Sequence, residues 1–401
     1  MNIRLFKPSV GKEELDNIKD VFDRAWLGLG PKVTEFENEW TKYIGTKMSI
    51  GVNSGTAALH LSLTAFGFKE GKKVLVPAIT FASTATAVLY NRLEPVFVDV
   101  EPETVSMSLK DLEKKYTKDC VAIMPVHMGG HPVAMDKLME FAKKKNLKVI
   151  EDCAHCAGGE YSPREIIKTD NRINSNNANI SRGKGKKLGT WGDIGCFSFE
   201  EKKCMTTGDG GMICSNDVDL ISPLRAYRWV GIDKDTWRRA EDFVHSDKVD
   251  ARHWYYEISV LGYKYNMNDL AAAIGLAQLK KLDKMNAKKR SIIKKYLNGI
   301  KDLKTIQPQF PYDTDNGVYW FFGIRCKKRD ELIIHLKNKG IATGVHFYPL
   351  PMHPLFKPYD KGCETAKEIW KTFVTLPSHV DLTNEEVNYV IDALQEFDKK
   401  F

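Results

Sequence analysis

Short apolar runs rich in β-branched residues alternate with amphipathic segments between about residues 50 and 215. Runs of this kind predict β-strands, and the segments between them, such as residues 55–66 and 134–145, have the apolar spacing of helices. A chain that alternates strands and helices folds into a mostly parallel sheet with helices on both faces. Six strands are predicted, with the sequences KVLVPA, PVFVDV, CVAIMPV, KVIEDC, IGCFSF and GMICSN.

The pattern changes near residue 262. A long helix is predicted from residue 269 to about residue 296, and the segments VYWFFGIRC, DELIIHLKNKG and NEEVNYVIDALQEF then indicate a smaller α/β lobe with an antiparallel sheet. We therefore predict a large domain in residues 1–261 and a small C-terminal domain in residues 262–401. Residues 162–187 are polar and rich in asparagine, which predicts a long surface loop.

The charge of the chain is only mildly positive. Lysine and arginine number 60 against 52 aspartate and glutamate residues, which gives a formal net charge of +8 over 401 residues. This excess suits an anionic substrate or a phosphorylated cofactor, and it does not indicate nucleic-acid binding. The densest basic segment, SRGKGKK, lies among glycines without aromatic residues, as in a mobile loop.

Signals for secretion, membrane insertion and metal binding are weak. The first residues lack the apolar segment of a signal peptide, and the most apolar span, residues 74–90, contains Pro77 and falls short of a membrane span. Eight cysteines in a chain of this length do not make a disulfide scaffold. The CAHC motif can bind metal or perform redox chemistry, but no second CxxC pair follows it. We expect reduced cysteines in a cytoplasmic protein, with no membrane segment and no metal.

Small and polar residues stand at the predicted strand ends, where open α/β sheets bind ligands. Ser54, Gly55 and Thr56 precede an apolar helix, and a helix N-terminus attracts phosphate through its free N–H groups and its dipole. An ordinary helix cap has the same residues. Phe81 follows another strand, where it can lie flat on a planar ligand or simply fill the core.

The strand KVIEDC ends in two carboxylates, Glu151 and Asp152, with His155 close behind. A carboxylate there can cap a helix, or it can face a protonated ring nitrogen and raise the pKa of that nitrogen. His155 can donate to a ligand oxygen or be an ordinary buried histidine. These alternatives are open from the residues alone.

A pair of lysines, Lys202 and Lys203, lies between Ser198 and a glycine-rich turn that begins at Gly208. Most lysines are solvated surface charges, and each of the other signals is weak when taken alone. Together they describe one ligand: a planar ring with a protonated nitrogen, a phenolic oxygen, a phosphate and an aldehyde that requires a lysine. That ligand is pyridoxal 5'-phosphate, PLP, whose ring acts as an electron sink.

Motifs along nearly the whole chain resemble one family, the PLP-dependent nucleotide-sugar aminotransferases called DegT/DnrJ/EryC1/StrS. The resemblance implies the PLP-dependent transferase fold of type I, an α/β fold with a large domain and a smaller C-terminal domain. The motifs occur in the family's order: LGPKVTEFENEW, NSGTAALHL, VLVPAITFASTATAV, PVFVDVEPET, IEDCAH, GDIGCFSF, TTGDGGMI, GYKYNMNDLAAAIGLAQL and LPSHVDLTNEEV.

The resemblance also implies how the cofactor phosphate is bound. Gly55 and Thr56 would contact it, largely through backbone N–H groups, and Ser198 would add a hydroxyl. In the segment GYKYN, where the family often has Gly-x-Asn-x-Arg, Lys264 takes the position that reaches the phosphate of the partner subunit. A homodimer with composite active sites follows from that role.

The cofactor ring and its aldehyde have implied partners as well. Phe81 would stack on the ring, Asp152 would face the pyridine nitrogen, and His155 would approach the phenolic oxygen. The family's Schiff-base lysine lies five residues after the serine and five before the first glycine of the turn. Both counts give Lys203 and leave Lys202 as an ordinary charge.

The implied activity is transfer of an amino group, most simply from glutamate, to the keto carbon of a nucleotide-linked deoxysugar. Its products would be amino sugars for surface polysaccharide or glycoconjugates. Two alternatives are weighed against it. A related PLP- or PMP-dependent sugar dehydratase would carry histidine at position 203, and a non-catalytic regulatory protein would have no need of the lysine and aspartate together.

Overall fold

The computed structural model describes residues 1–166, 180–182, 185–232 and 254–400 of the chain. We number the described strands and helices in chain order. The strands are β1 (Met48–Val52), β2 (Lys73–Pro77), β3 (Glu94–Val98), β4 (Cys120–Ile123), β5 (Lys148–Asp152), β6 (Glu160–Tyr161), β7 (Arg164–Ile166), β8 (Ile180–Arg182), β9 (Lys186–Lys187), β10 (Ile194–Ser198), β11 (Gly211–Ser215), β12 (Ile306–Pro308), β13 (Phe322–Cys326) and β14 (Phe373–Leu376). The helices are α1 (Lys12–Asp23), α2 (Pro31–Ile44), α3 (Gly55–Thr64), α4 (Ala82–Tyr90), α5 (Leu109–Lys115), α6 (Met135–Lys145), α7 (Val218–Ile221), α8 (Leu224–Arg228), α9 (Asp269–Ile300), α10 (Arg329–Asn338), α11 (Glu364–Ile369) and α12 (Asn384–Asp398).

A seven-stranded sheet forms the centre of the fold, with the order β1-β11-β10-β5-β4-β2-β3. Strands β10, β5, β4, β2 and β3 are parallel neighbours, whereas β11 runs antiparallel to both β10 and β1. The predicted α/β fold with a mostly parallel sheet is therefore confirmed. All six predicted strands are present, and β1 is a seventh that the sequence analysis did not predict.

The central strands are apolar because the sheet is covered on both faces. In β2 and β5 every residue after the first is buried. Helices α3 and α4 are apolar around most of their circumference, since they pack against each other and against the sheet. This packing fixes the strand ends that carry Asp152 and Ser198.

The small lobe contains the three-stranded antiparallel sheet β12-β13-β14. Helix α9 connects two buried clusters, because Ala272 and Leu276 pack in the large core while Ile293 and Ile300 pack in the core of the small lobe. Ile3 also belongs to the small-lobe core. The predicted domain boundary near residue 262 stays a prediction.

The predicted surface loop, residues 162–187, is described only in part, because residues 167–179 and 183–184 lie outside the described chain. Within it, β7 pairs with β8 as a short antiparallel ribbon, and β9 pairs antiparallel with β6, which lies just before the loop. The polar pattern of the segment did not predict these strands.

In the part of the chain that the structure describes, no helix is both long enough and apolar enough to span a bilayer. Each of the eight cysteines is buried with a free thiol.

Candidate active site

A cavity of about 810 Å³ lies beyond the carboxyl ends of the central strands. Residues from the N-terminal segment, the large domain and the small lobe line it together. Seven of the eight predicted site residues are among them, namely Gly55, Thr56, Phe81, Asp152, His155, Ser198 and Lys203. These residues are up to about 150 positions apart in sequence, and the sheet brings them together because parallel strands end at one edge.

The N-terminus of α3 forms one wall of the cavity. Ser54 caps this helix, since its hydroxyl accepts a hydrogen bond from the N–H of Ala57 at 3.1 Å. Helical geometry leaves the N–H groups of Gly55 and Thr56 without helical partners. A Cβ atom on Gly55 would lie 2.7 Å from Cβ of Ser198, so only glycine lets the helix and the end of β10 approach this closely. The arrangement suits a small anion such as phosphate.

Asp152 is buried at the end of β5. Its carboxylate accepts hydrogen bonds from the Thr84 hydroxyl at 2.8 Å and from the N–H of Ala154 at 3.1 Å. Burial raises the pKa of this carboxyl group, and the two hydrogen bonds and the Lys203 ammonium oppose that rise. The protein's own groups offset only part of the cost of burying this negative charge, so the carboxylate is suited to bind a cationic partner.

Glu151, the neighbouring carboxylate, does not contact the cavity. Strand alternation turns it to the other face of the sheet, where it accepts hydrogen bonds from the N–H groups of Trp191 and Gly192 at 2.7 and 2.8 Å. It also accepts from Gly189 and lies 3.2 Å from Nε2 of His127. Glu151 therefore has a structural role in holding the turn before β10.

The two adjacent lysines differ in environment. Lys203 is partly buried and lines the cavity, and burial lowers the pKa of its amine to about 8 although Glu200 and Asp152 favour the charged form. The Lys202 side chain is 52% exposed and lies 3.7 Å from the Glu200 carboxylate. A free-base amine is the nucleophilic form, so the environment favours Lys203 over Lys202 as the reactive group.

His155 is buried against the indole of Trp320, with ring centroids 4.1 Å apart and ring planes 14° apart. Burial, followed by the charge of Lys203, holds the pKa of His155 well below its usual range, so the ring is neutral. Its Nδ1 accepts from the N–H of Gly129 at 3.4 Å, which puts the ring proton on Nε2. Nε2 has no hydrogen-bond partner among the described residues and is available to donate to a ligand oxygen.

Phe81 lies at the N-terminus of α4 and is 55% exposed, which is unusual for phenylalanine. Its ring centroid is 5.8 Å from that of Phe347. Core packing, the alternative that the sequence left open, therefore does not explain this side chain.

Lys264 is not among the residues that line the cavity in the described chain. It pairs with Trp229 in an isolated antiparallel bridge, and its amine lies over the Trp229 ring and 3.1 Å from Oδ1 of Asn266. Lys264 is exposed on the surface, so it does not meet the other seven predicted residues within one subunit.

Sequence patterns did not identify several aromatic residues of the site, among them Phe6, Trp320 and His346, which line the cavity. Trp320 lies in the segment VYWFFGIRC, which was interpreted only as part of the small lobe. Phe6 comes from the N-terminal segment, which had no predicted role. Their position depends on contacts between distant parts of the chain, which local patterns do not reveal.

A second cluster of potential ligands lies outside the cavity. Atoms of His127, Cys153 and Cys156 lie within 4.8 Å of one another. Both ring nitrogens of His127 already have partners, since Nδ1 accepts a hydrogen bond from the N–H of Val133 and Nε2 contacts the Glu151 carboxylate. Burial raises the pKa values of both thiols, so the thiolate form that metals require is disfavoured.

Comparison with known proteins decides the family. The sequence model of the DegT/DnrJ/EryC1/StrS aminotransferase family matches residues 8–395. The chain belongs to this family. It is 33% identical to the GDP-perosamine synthase of Escherichia coli O157:H7 over 98% of each chain. It is 32% identical to the spore coat polysaccharide biosynthesis protein SpsC of Bacillus subtilis strain 168, over 98% of this chain and 96% of SpsC.

The structural comparison agrees. Spr1654 of Streptococcus pneumoniae, in its PMP-form, superposes with a TM-score of 0.86 at 25% identity over the full length of both chains. The predicted fold type, aminotransferase activity and PLP cofactor are confirmed for this aminotransferase.

The cavity fits PLP on its own geometry. It offers a partly buried amine with a lowered pKa, a buried carboxylate, an unpartnered imidazole Nε2 and a helix N-terminus closed by Gly55 and Ser198. When bound, PLP supplies an aldehyde that condenses with amines and a ring that withdraws electrons. The role of each individual residue stays a prediction.

Proposed function

We propose that this aminotransferase moves an amino group from glutamate to the keto carbon of a nucleotide-linked sugar, in the biosynthesis of amino sugars for surface polysaccharide or glycoconjugates. The observation that carries the proposal is the convergence of the Lys203 amine, the Asp152 carboxylate and the N-terminus of α3 in one cavity. The names of two relatives, a GDP-perosamine synthase and a spore coat polysaccharide protein, support the substrate class.

The cavity has room and charge for such a substrate. At about 810 Å³ it is within the range of small-molecule sites. Besides Lys203, the cations Arg4 and Lys202 line it. Arginine and lysine bind phosphate and carboxylate, so both a nucleoside diphosphate and glutamate find complementary charge there.

In this proposal different residues of the chain bind the phosphate, the ring, the ring nitrogen and the phenolic oxygen of PLP. The N–H groups of Gly55 and Thr56 and the Ser198 hydroxyl bind the phosphate, and Phe81 covers the ring. Asp152 would pair with the ring nitrogen, and its negative charge would favour the protonated form of that nitrogen. Nε2–H of His155 donates to the phenolic oxygen.

Lys203 has two tasks in the proposed reaction. Its amine would hold the cofactor at rest and would be free while the amino donor is bound. The free amine would then accept a proton from Cα of the donor as a general base and donate it at the C4' position as a general acid. A pKa near 8 suits both directions, because a base that is also an acid works best when its pKa is close to the ambient pH.

We further propose a homodimer with composite sites that acts in the cytoplasm. The exposed position of Lys264, away from the cavity of its own subunit, supports a role at the neighbouring site. The eight free thiols are compatible with a reducing compartment.

The test uses the purified enzyme with PLP bound. Glutamate alone should convert the absorbance of the PLP form to that of the PMP form, with release of 2-oxoglutarate. Separate addition of GDP-, UDP- and dTDP-linked 4-keto and 3-keto sugars should then regenerate the PLP form and yield one aminated sugar by mass spectrometry. A product that has lost water instead would replace this proposal with a dehydratase, and no reaction with either partner would indicate a non-catalytic protein.

Borohydride reduction of the same enzyme tests the lysine assignment. The reduced cofactor should be found on the peptide that carries Lys203, at that residue. A label on Lys202 would overturn the assignment.

A further inference from the structure

Trp320 is held in place by three hydrogen bonds. Its indole N–H donates to the carbonyl of Lys202 at 2.7 Å, and its backbone N–H donates to the carbonyl of Gly129 at 2.9 Å. Its own carbonyl accepts from the buried amine of Lys289 at 3.1 Å. Trp320 is 4% exposed, so these bonds operate in a water-poor environment, where hydrogen bonds are stronger.

Stacked rings also fix the indole. His155 stacks on it at 4.1 Å, and Phe6 lies nearly parallel to it with ring centroids 5.2 Å apart. Phe6 comes from the N-terminal segment, whose backbone is tied to the small lobe by hydrogen bonds between Ile3 and both Gly340 and Ala342. Trp320 is therefore a rigid surface inside the site.

The amine of Lys203 lies over this surface, with Nζ 4.0 Å from the centroid of the Trp320 ring. A cation is attracted to an indole face, whereas a neutral amine gains little from it. Other charged and titratable groups also act on this amine. Glu200, Asp152 and Cys204 favour its ammonium form, and Lys202 disfavours it. The rings of His155 and His346, which also face it, are neutral.

We propose that Trp320 is a positioning residue for Lys203: its indole face holds the lysine amine while that amine is free of the cofactor and protonated. The inference deepens the proposed function and rests on Lys203 as the cofactor lysine. A freed lysine side chain has several rotatable bonds in a large cavity, and a rigid partner reduces the number of conformations that it samples.

The state of the amine at each step fits this role. When Nζ takes the proton from Cα of the donor, an N–H bond forms as the C–H bond breaks, and the electron pair stays on the donor side. The amine is then an ammonium ion, which is the form that the indole attracts. Once it has given the proton to C4', the neutral amine loses that attraction, and it would rejoin the cofactor only after the second half-reaction has passed the amino group to the keto sugar.

The test measures the pKa of Lys203 in the apoprotein, by pH-dependent labelling with an amine-reactive reagent and mass spectrometry. Trp320→Leu removes the π face and should lower the pKa of Lys203 by about one unit, a tenfold smaller ratio of ammonium to free amine at a given pH. Trp320→Phe keeps a weaker ring and should give a smaller shift. The kcat of the PLP-loaded enzyme should fall in the same order, with little change in KM.

The chain offers a matched control in Trp191. Its ring also lies near a lysine amine, that of Lys186 at 5.2 Å, and its indole N–H also donates to a backbone carbonyl, at 3.3 Å. Trp191→Leu should leave the pKa of Lys203 unchanged. Lys42, whose side chain is 72% exposed and which does not line the cavity in the described chain, provides an internal reference in every labelling experiment.

If Trp320→Leu fails to fold, 5-fluorotryptophan can be incorporated at position 320 instead. It keeps the shape and the N–H donor of the indole but weakens its π face, so it should still lower the pKa of Lys203. An unchanged Lys203 pKa in the folded Leu, Phe or fluorinated variant would overturn the inference. This readout needs neither substrate nor cofactor. The inference can therefore fail while glutamate and sugar still react, and the sugar assay can fail while the pKa still shifts.

Discussion

At the residue scale, two pairs of adjacent residues with the same chemical group differ in their environment, and this difference distinguishes the reactive side chain from the ordinary one. Lys202 and Lys203 are neighbours and both line the cavity, yet the Lys202 side chain is 52% exposed beside Glu200, whereas Lys203 is partly buried with a lowered pKa. Glu151 and Asp152 are separated in the same way by strand alternation. The motif spacing singles out Lys203, and the difference in burial between the two lysines supports it; its role as the cofactor lysine stays a prediction.

The lowered pKa of Lys203 predicts a specific pH dependence. The neutral amine attacks the cofactor aldehyde, and its fraction rises as the pH rises through the pKa. The rate at which apoprotein takes up added PLP should therefore increase from pH 6, show an inflection near pH 8 and become level above about pH 9. Stopped-flow absorbance measures this, with free Nα-acetyl-lysine as the reference. An inflection near 10.5, the ordinary value for lysine, would contradict the prediction.

The carboxylate pair gives a second prediction. Asp152→Asn removes the charge that we assign to the ring nitrogen, so the electron sink weakens, and kcat should fall at least about 100-fold with the fold intact. Glu151→Gln is the matched variant, because it weakens acceptance from three backbone N–H groups and should lower the melting temperature instead. Steady-state kinetics and thermal denaturation of both variants check this. Near-normal activity of Asp152→Asn would exclude the assigned role.

At the scale of the elements, the sequence revealed the six strands that are rich in β-branched and apolar residues. It did not reveal β1 (Met48–Val52) or the antiparallel direction of β11, since strand pairing depends on contacts far along the chain. Trp320 was missed for the same reason. It is just N-terminal to β13, and its place in the site follows from the docking of the small lobe on the large domain.

The N-terminus of α3 supports a third prediction. In Gly55→Ala the new Cβ would lie 2.7 Å from Cβ of Ser198, so the helix and β10 must separate where we place the phosphate. The dissociation constant for PLP should rise about tenfold or more, which corresponds to the loss of one to two charge-assisted hydrogen bonds. Equilibrium dialysis of the apoprotein with PLP measures it.

Gly28→Ala is the control for this variant, because a Cβ atom on Gly28 would meet no atom within 4 Å. It should leave the dissociation constant unchanged. Equal PLP affinity in the Gly55 variant and the wild type would show that the phosphate does not lie against this helix.

At the scale of the whole molecule, three distant parts of the chain close one site. The N-terminal segment supplies Phe6, the large domain supplies Lys203, and the small lobe supplies Trp320. Helix α9 passes through both cores, so it couples the positions of the two lobes. Lys264 remains outside this arrangement in its own subunit, and that separation leads to a prediction about assembly.

We predict that Lys264 binds the phosphate of the neighbouring subunit. The phosphate carries a charge of about −1.5 to −2 near neutral pH, so an added cation strengthens cofactor binding. Within its own chain Lys264 is exposed, and its amine contacts only the Trp229 ring and Asn266 among the interactions described. Lys264→Glu should therefore weaken PLP binding while the subunit stays folded, and Lys203→Ala should abolish turnover.

Mixing the two variants, at a PLP concentration too low to load Lys264→Glu, tests where Lys264 acts. In a heterodimer with composite sites, one site combines an intact Lys203 from one subunit with an intact Lys264 from the other, and the second site has neither. Activity should return to at most about one site in four of the total at equal mixing, since half of the randomly exchanged dimers are mixed and each has one competent site. Subunit exchange is verified independently with two affinity tags. No recovery despite proven exchange would mean that Lys264 acts within its own chain or has no part in cofactor binding.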